Sequence, residues 1–141
     1  MMMLAPFAFF LLAIVGAPQT PEESASDFLE AFRQMDEERF DSFFAPDVTM
    51  FFPDGPFPQG RVEGRDAVLA AFHRFFALAR ERGRNGLNIE PLDLQVRAHE
   101  DVAIVTFRLE TEETLGRRSL ILQRMGEEWR IVHFHASTIE R

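Results

Sequence analysis

The amino-acid sequence predicts an α+β domain in which helices come first and a run of strands closes the chain. Two helix signals and one β-rich run occupy the first half, and a third helix signal follows a loop rich in Pro and Gly. From residue 87 onwards, stretches rich in β-branched residues alternate with short turn signals. Consecutive strands joined by short turns favour an antiparallel meander, and helices with apolar stripes must cover one face of it.

Composition limits the class of protein and its partners. The chain has 141 residues, of which 46% are hydrophobic and 16 are Phe, and this fits one globular domain rather than a disordered chain. The net charge of −8 disfavours nucleic-acid binding, because phosphate contacts need clustered positive charge. The chain contains no Cys, which excludes disulfides, thiolate nucleophiles and Cys-based metal sites.

An apolar segment opens the chain. Residues 1–17 carry no charged side chain, and the apolar run at 4–15 is followed by small residues. We expect residues 1–17 to be a secretory signal peptide of a secreted or periplasmic protein, since the run is shorter than the ~20 residues of a comfortable membrane span. The alternative is an uncleaved hydrophobic anchor. A linker at 18–21 then leads into a single domain at 22–141.

The helices are marked by capping residues and by Phe stripes. The Thr-Pro-Glu-Glu pattern at 20–23 forms a capping box that starts the first helix. Asp36 can cap a second helix, which carries Phe residues up to Phe44 and stops at Pro46. A long third helix is expected to begin at the Gly-Arg-Asp sequence at 64–66.

The strands are indicated by β-rich runs between turn signals. A first strand precedes the Pro- and Gly-rich loop, and the others follow the third helix. Strands are expected at 48–52, 87–97, 102–113, 117–124 and 129–138, with a turn at 115–116.

The closing strand carries a run that resembles a known superfamily. The W-R-I-V-H-F-H-A-S run at 129–137, the stretch at 118–124 and the helix opening at 64–66 resemble the nuclear transport factor 2-like superfamily. Within it, the chain is similar to the SnoaL-like group and to the association domain of calcium/calmodulin-dependent kinase II, over about residues 22–139. The resemblance implies a cone-shaped fold, a cystatin-like roll, in which a curved antiparallel sheet wraps three helices from the N-terminal half. It also implies a cavity open at one end and a homodimer formed through the outer face of the sheet.

His133 and His135 are the first candidate site residues on the closing strand. They are spaced by two and therefore share one face of the strand. No third ligand stands at useful spacing, so no metal site is predicted. The alternate face, with Phe134 and Ala136, is more apolar, and we expect it to face the helices and the cavity. Both histidines then point outward, unless a bulge changes the register.

Arginines are candidate ligand-binding residues because of the resemblance to the kinase association domain, where arginines line the cavity and suit carboxylate ligands. Arg108 matches one of these positions, and Arg117 or Arg118 matches a second. A third position is occupied here by Ala136, which disfavours strong anion binding. The alternative is that each arginine forms an ion pair with an acid of the protein.

General acid–base catalysis would depend on Asp54, Glu63 or His73, because isomerases and dehydratases need a carboxylate or an imidazole in an apolar pocket. Asp54 and Glu63 lie in the loop after the first strand. Ordinary turn chemistry and a solvated carboxylate are the alternatives for these two residues. Phe72 and Phe134 are the apolar residues expected to line the ligand cavity.

Three functions remain open from the sequence. The first is a binding protein for a small organic molecule, with carboxylates as one class of ligand. The second is a cofactor-independent isomerase, cyclase or dehydratase of the SnoaL-like type, and the third is a non-catalytic assembly domain. None of them implies a cofactor. The absence of Tyr disfavours steroid isomerisation, for which members of the superfamily use a Tyr as an acid.

Overall fold

The structure, a computed structural model, describes residues 18–141 and consists of three helices and a 6-stranded sheet. The segment 1–17, predicted to be a signal peptide, lies outside the described residues. In chain order the elements are α1 (Pro21–Gln34), α2 (Glu37–Asp41), β1 (Phe44–Phe51), β2 (Val62–Glu63), α3 (Arg65–Glu81), β3 (Leu92–His99), β4 (Val102–Glu110), β5 (Thr114–Met125) and β6 (Glu128–Glu140). No helix within residues 18–141 is both long enough and apolar enough to cross a membrane.

The sheet has the strand order β2-β1-β6-β5-β4-β3. Strands β3 to β6 pair in sequence order and antiparallel, which confirms the predicted meander. β1 pairs with β6 in parallel orientation on the other side, so the complete sheet is mixed. Register shifts in the β1–β6, β3–β4 and β5–β6 pairs increase the local bend and twist of the strands. The result is the expected cone-shaped α+β fold, with a curved sheet around the helices.

The start of α1 follows the predicted capping box. Thr20 Oγ1 accepts a hydrogen bond from the backbone N–H of Glu23 over 3.1 Å, and the Glu23 carboxylate accepts one from the N–H of Thr20 over 3.0 Å. Pro21 occupies the first turn, where its missing N–H costs nothing. The capping groups therefore fix where the helical domain begins.

The second helix is shorter than the sequence predicted. α2 ends at Asp41, and Phe44 and Pro46, which we expected in the helix and at its stop, belong to β1. The carbonyl oxygen of Phe43 accepts a hydrogen bond from Ile131 N–H over 2.7 Å. Pairing with β6 thus replaces the helical hydrogen bonds that the local pattern favoured.

The first strand of the meander begins later than predicted. The expected strand at 87–97 starts only at Leu92. Leu87 N–H instead donates to the carbonyl of Arg33 over 2.8 Å, and the Arg33 guanidinium donates to the carbonyl of Ile89 over 2.9 Å. Residues 87–89 are therefore hydrogen-bonded to the end of α1 and lie between that helix and the sheet.

The turn between β4 and β5 precedes the predicted position. Gly116, expected in a turn, lies inside β5. Thr111 N–H donates to the carbonyl of Thr114 over 3.0 Å, and Thr111 Oγ1 accepts a hydrogen bond from Thr114 N–H, also over 3.0 Å. These bonds close the hairpin before Thr114 and leave Gly116 free to take part in the strand.

The core lies between the helices and the inner face of the sheet. Its centre is Phe40, which is fully buried, with its ring centroid 4.9 Å from Phe72 and 5.4 Å from Phe28. Contacts between rings at these distances are typical of packed aromatic clusters. The cluster packs α1, α2 and α3 together, and some of its rings also line a cavity between the helices and the sheet.

Candidate functional site

A cavity with two adjoining parts lies between the helices and the inner face of the sheet. The inner chamber has a volume of about 230 Å³, and the vestibule has a volume of about 410 Å³. Apolar rings dominate the inner chamber, with contributions from Phe32, Phe52, Phe57, Phe72, Phe75 and Phe134. Polar side chains are common in the vestibule, including Asn88, Glu90, Glu110, Thr111 and Thr114. The two parts share the lining residues Phe75, Ile89, Leu109, Arg118 and Thr138.

Arg118 reaches this cavity because of its position in β5. Gly116, Leu120 and Leu122 are buried on the inner face of that strand, and Arg118 belongs to the same alternating set. Ala136 lies opposite Arg118 on β6. The short side chain of Ala136 leaves the guanidinium room to lie along the sheet, so the residue that disfavoured anion binding in the sequence contributes space to the site.

The guanidinium of Arg118 is held by the backbone. Its Nη1 donates to the carbonyl oxygens of Arg117, over 3.0 Å, and of Ser137, over 2.9 Å. Gly116 makes this placement possible, because a β-carbon at Gly116 would stand 3.0 Å from Nη1. The side chain is therefore fixed against the strand rather than extended into solvent.

Arg118 carries a positive charge, and the carboxylates that border the same cavity, those of Asp54, Glu90 and Glu110, form no ion pair with it. Within residues 18–141, Arg118 takes part in no ion pair. Burial lowers the pKa of its guanidinium below the usual range, although an arginine keeps its proton in proteins. The cavity thus contains a cation in partly apolar surroundings, and such a charge favours an anionic guest.

Arg108 and Arg117, the other two predicted ligand-binding arginines, do not face the cavity. They are paired across β4 and β5 on the outer face of the sheet. Arg108 forms ion pairs with Asp93, over 3.0 Å, and with Glu110, over 3.1 Å. Hydrogen bonds from Arg108 and then from Arg141 lower the pKa of the Glu110 carboxyl. Arg108 thus forms the kind of internal ion pair that the sequence analysis gave as the alternative to ligand binding.

The predicted acid–base residues are separated by the fold. Asp54 lines the inner chamber from the loop after β1, although its side chain is largely exposed. Glu63 lies in β2, where it forms an ion pair with Arg61 over 2.7 Å and borders a different depression. His73 lines neither part of the cavity, because its Nε2 is 2.7 Å from Asp41 Oδ1 on the other side of α3. Of these three residues, Asp54 alone lines the inner chamber together with Arg118.

Phe72 and Phe134, predicted to contact a ligand, both line the inner chamber. They also belong to the core, and their ring centroids are 6.2 Å apart. A contact between either ring and a ligand stays a prediction. Their positions mean that the same rings stabilise the fold and form the chamber wall.

His133 and His135 lie on the outer face of β6, as expected from the apolar alternate face. Phe134 and Ala136 are buried on the inner face, and a bulge at Val132 precedes them. Nδ1 of His133 is 2.7 Å from Oγ1 of Thr49, so the imidazole is engaged within the sheet. Within residues 18–141, no group of three or more His, Cys, Asp and Glu side chains could hold a metal ion.

Three site residues were missed by the sequence analysis. Gly116 was assigned to a turn, and Thr138, which lies opposite it in the β5–β6 pair, was assigned only to the closing strand at 129–138. The available signal was the spacing of two between Gly116 and Arg118, which places them on one face of a strand. Ile89 was missed as well, since it lies in a segment that we assigned to a strand.

Known proteins share this architecture. A family model described as a SnoaL-like domain matches residues 22–140. One similar structure is a candidate calcium/calmodulin-dependent protein kinase type II association domain from Thiobacillus denitrificans, with 24% identity, a TM-score of 0.63 and coverage of 88% of this chain and 98% of that chain. A candidate dehydratase of the NTF2-like family from Streptomyces avermitilis has 20% identity, a TM-score of 0.66 and coverage of 82% and 91%.

A third similar structure is a candidate ketosteroid isomerase from Parabacteroides distasonis, with 18% identity, a TM-score of 0.62 and coverage of 86% of this chain and 89% of that chain. At such identities the likeness of these structures concerns the fold alone. No curated protein matches the chain. The family model spans nearly the whole described domain, and the chain therefore belongs to the SnoaL-like domain family.

Proposed function

We propose that the protein binds a small organic anion, such as a carboxylate, in the inner chamber, with Arg118 as the anchoring cation. The observation that carries this proposal is the guanidinium of Arg118, which borders a largely apolar chamber and forms no ion pair within residues 18–141. A partly desolvated charge gains most from an opposite charge that comes with its own hydrogen-bond acceptors. The open chamber favours binding over a purely structural assembly role, for which a filled cone would suffice.

A fragment screen tests this proposal. Neutral and anionic fragments are added to the purified protein, and binding is followed by ligand-observed NMR and by thermal unfolding. A ligand present at 100 times its Kd stabilises the folded state by about 2.7 kcal/mol. We expect anionic fragments to bind, Arg118→Gln to abolish their binding, and Arg117→Gln, on the outer face, to leave it unchanged. Absence of binding by every fragment, or equal binding by both variants, would contradict the proposal.

Catalysis is the second candidate function, and it is favoured by one specific observation. Asp54 lines the same inner chamber as Arg118, so a carboxylate and a guanidinium border one small space. A base beside a fixed cation can remove a proton next to a carbonyl and stabilise the resulting negative charge. Similar structures include a candidate dehydratase and a candidate ketosteroid isomerase. The reaction class would be cofactor-independent isomerisation, cyclisation or dehydration.

Proton exchange separates this second function from simple binding. A bound carbonyl compound in D₂O would exchange its α-hydrogens for deuterium if Asp54 acts as a base. We expect Asp54→Asn to abolish exchange while the affinity for the anion is retained. If the wild-type protein binds the carbonyl compound but its α-hydrogens exchange only at the uncatalysed rate, the catalytic proposal is contradicted and the binding proposal remains.

A homodimer through the outer face of the sheet is also proposed. Large apolar side chains are exposed on the outer face of β3 and β4, among them Leu92, Val102 and Ile104. Such exposure is typical of surfaces that are covered by a partner. Sedimentation equilibrium should give twice the chain mass, and Ile104→Arg should give the monomer, whereas Gln59→Arg in the exposed loop should not. A monomeric wild type would exclude this interface.

Export to the periplasm or out of the cell is proposed from the apolar segment at 1–17. The start of α1 at Pro21 leaves a short connection between that segment and the domain. N-terminal sequencing of the protein purified from its natural source tests the proposal. A mature chain that begins close to residue 18 is expected, and an intact Met1 in the cytoplasm would contradict it.

A further inference from the structure

Arg118 offers one defined edge of its guanidinium to the cavity. An arginine has five N–H donors, and the two on Nη1 are used by the carbonyls of Arg117 and Ser137. Nε and Nη2 keep the remaining donors, and neither makes a hydrogen bond within residues 18–141. Neither atom is sealed from the surrounding space, in contrast to Nε of Arg65, which is buried without a partner. The unused donors on Nε and Nη2 therefore lie along one edge of the guanidinium and can bind one guest together.

Gly116 determines which edge is used. A β-carbon at this position would stand 3.0 Å from Nη1 and 3.4 Å from Cζ of Arg118. The Nη1 corner can approach the strand only because Gly116 has no side chain, and this approach turns the opposite edge away from the backbone. The Nε–Nη2 edge presents two parallel N–H groups, whose spacing matches the two oxygens of a planar carboxylate.

The inner chamber that Arg118 lines is formed largely by aromatic rings. Phe52 stacks on Phe57 with ring centroids 4.8 Å apart, and Phe52 and Phe72 are 5.0 Å apart. Phe57 is 5.3 Å from Phe75. Ring faces and edges of this kind pair well with an aromatic guest. The volume of about 230 Å³ is smaller than the ~300–1,000 Å³ of sites for drug-sized molecules, so it suits one ring rather than a fused system.

We infer that the ligand is a monocarboxylate with a single aromatic ring, held side-on by Nε and Nη2 of Arg118 with its ring in the inner chamber, and that Gly116 is the positioning residue for this contact. The inference rests on the proposed function, since it specifies the ligand of the same site. It adds the geometry of the anion, the nature of the apolar group and a role for a residue without a side chain.

Four probes of matched size test the ligand class by calorimetry. They are 3-phenylpropanoate, its amide, 3-cyclohexylpropanoate and 2-phenylethylphosphonate. We expect 3-phenylpropanoate to bind most tightly. The amide should bind about 100-fold more weakly, because a charge-assisted pair of hydrogen bonds is lost. The cyclohexyl acid should bind about 3- to 10-fold more weakly, because ring–ring contacts are lost, and the tetrahedral phosphonate should be weaker than the planar carboxylate.

Variants test the geometry. Arg118→Lys keeps the charge but removes the fork, so the preference for carboxylate over phosphonate should disappear. Gly116→Ala should reduce the ratio of carboxylate to amide affinity about 10-fold, an effect that a loss of stability alone would not produce. Gly60→Ala is the matched control, because nothing lies within 4 Å of a β-carbon there, and its affinity ratio should equal that of the wild type.

The outcomes distinguish this inference from the proposed function. Equal affinity for the acid and its amide, or for the phenyl and cyclohexyl acids, overturns the ligand class while binding in the cavity stands. An unchanged affinity ratio in Gly116→Ala overturns the role of that residue. If none of the four probes binds but other anions from the fragment screen do so in an Arg118-dependent manner, the inference fails and the proposed function survives. If no fragment of the screen binds, both the proposed function and this inference are wrong.

Discussion

Gly116 and Arg118 lie two residues apart on one face of β5, and the guanidinium of Arg118 rests against the place that a side chain at Gly116 would occupy. A β-carbon there would stand 3.0 Å from Nη1 of Arg118 and 3.1 Å from the carbonyl oxygen of Leu109. Glycine weakens a strand, and in a strand interior it often marks the close approach of another group. In this protein the approaching group is the cation of the cavity.

The first prediction concerns the stability of the Gly116→Ala variant. We expect the free energy of unfolding to fall by about 1–2 kcal/mol, because the new β-carbon meets the backbone of β4, which can move away only by straining the sheet. Urea denaturation measures the change. Gly60→Ala should be neutral or slightly stabilising, since its β-carbon meets nothing and the unfolded chain loses entropy. Equal stability of the two variants would show that β4 and β5 yield freely.

The second prediction concerns the Phe cluster. Phe40 is 0% exposed and contacts rings from α1, β1 and α3, so Phe40→Ala should lower the free energy of unfolding by about 3–5 kcal/mol. Phe51, which is 37% exposed on the outer face, provides the control, and Phe51→Ala should cost about 1 kcal/mol or less. Denaturation curves with similar midpoints for both variants would mean that the cluster is not the centre of the core.

The helices and the meander could be predicted because their signals are local. The capping box at Thr20 and the turn residues between the strands act over a few residues. The structure follows the capping box and the turns before β4 and β6, whereas the turn before β5 comes earlier than its signal at 115–116. The parallel pairing of β1 with β6 joins segments far apart in the sequence. Local helix signals around Phe44 pointed the other way, and hydrogen bonds to Ile131 outweighed them. No pattern within residues 36–46 contains that information.

The candidate site could be predicted in part, because a strand sends adjacent side chains to opposite faces. Arg117 and Arg118 are neighbours in the sequence, yet only Arg118 shares the alternation of the buried Leu120 and Leu122. That signal was sufficient to choose between them. Arg108 could not be excluded in this way, since the residues that share its face of β4, Val102 and Ile104, are also apolar although exposed.

The third prediction follows from the outward position of Arg108. Arg108→Gln removes the largest cause of the lowered pKa of Glu110, so the pKa of this carboxyl should rise toward its ordinary value. Anion binding in the cavity should not change. NMR titration of the Glu110 carboxyl carbon measures the first effect, and calorimetry measures the second. Arg97→Gln, on the neighbouring strand β3, is the control and should change neither the pKa of Glu110 nor anion binding. A loss of anion binding in Arg108→Gln would mean that Arg108 takes part in the ligand site.

The fourth prediction concerns the dependence of stability on pH. Burial lowers the pKa of His133, the charge of His135 lowers it further, and a hydrogen bond with the backbone of Thr49 acts in the opposite direction. Because the folded state resists protonation of His133, the unfolded chain binds that proton more readily. The contribution of His133 is therefore most favourable above the ordinary histidine pKa of ~6.5, and stability is lost as the pH falls through that value toward the folded pKa.

Urea midpoints measured from pH 7.5 down to pH 5 test this linkage. The midpoint of the wild type should fall over that interval, and His133→Gln should flatten the profile because the residue with the lowered pKa is gone. His99→Gln serves as the control, since His99 is exposed at the end of β3, and its profile should follow that of the wild type. If His133→Gln shows the full fall in stability, groups other than His133 couple folding to protonation. His133 would then be protonated as easily in the folded protein as in the unfolded chain, which would contradict the prediction.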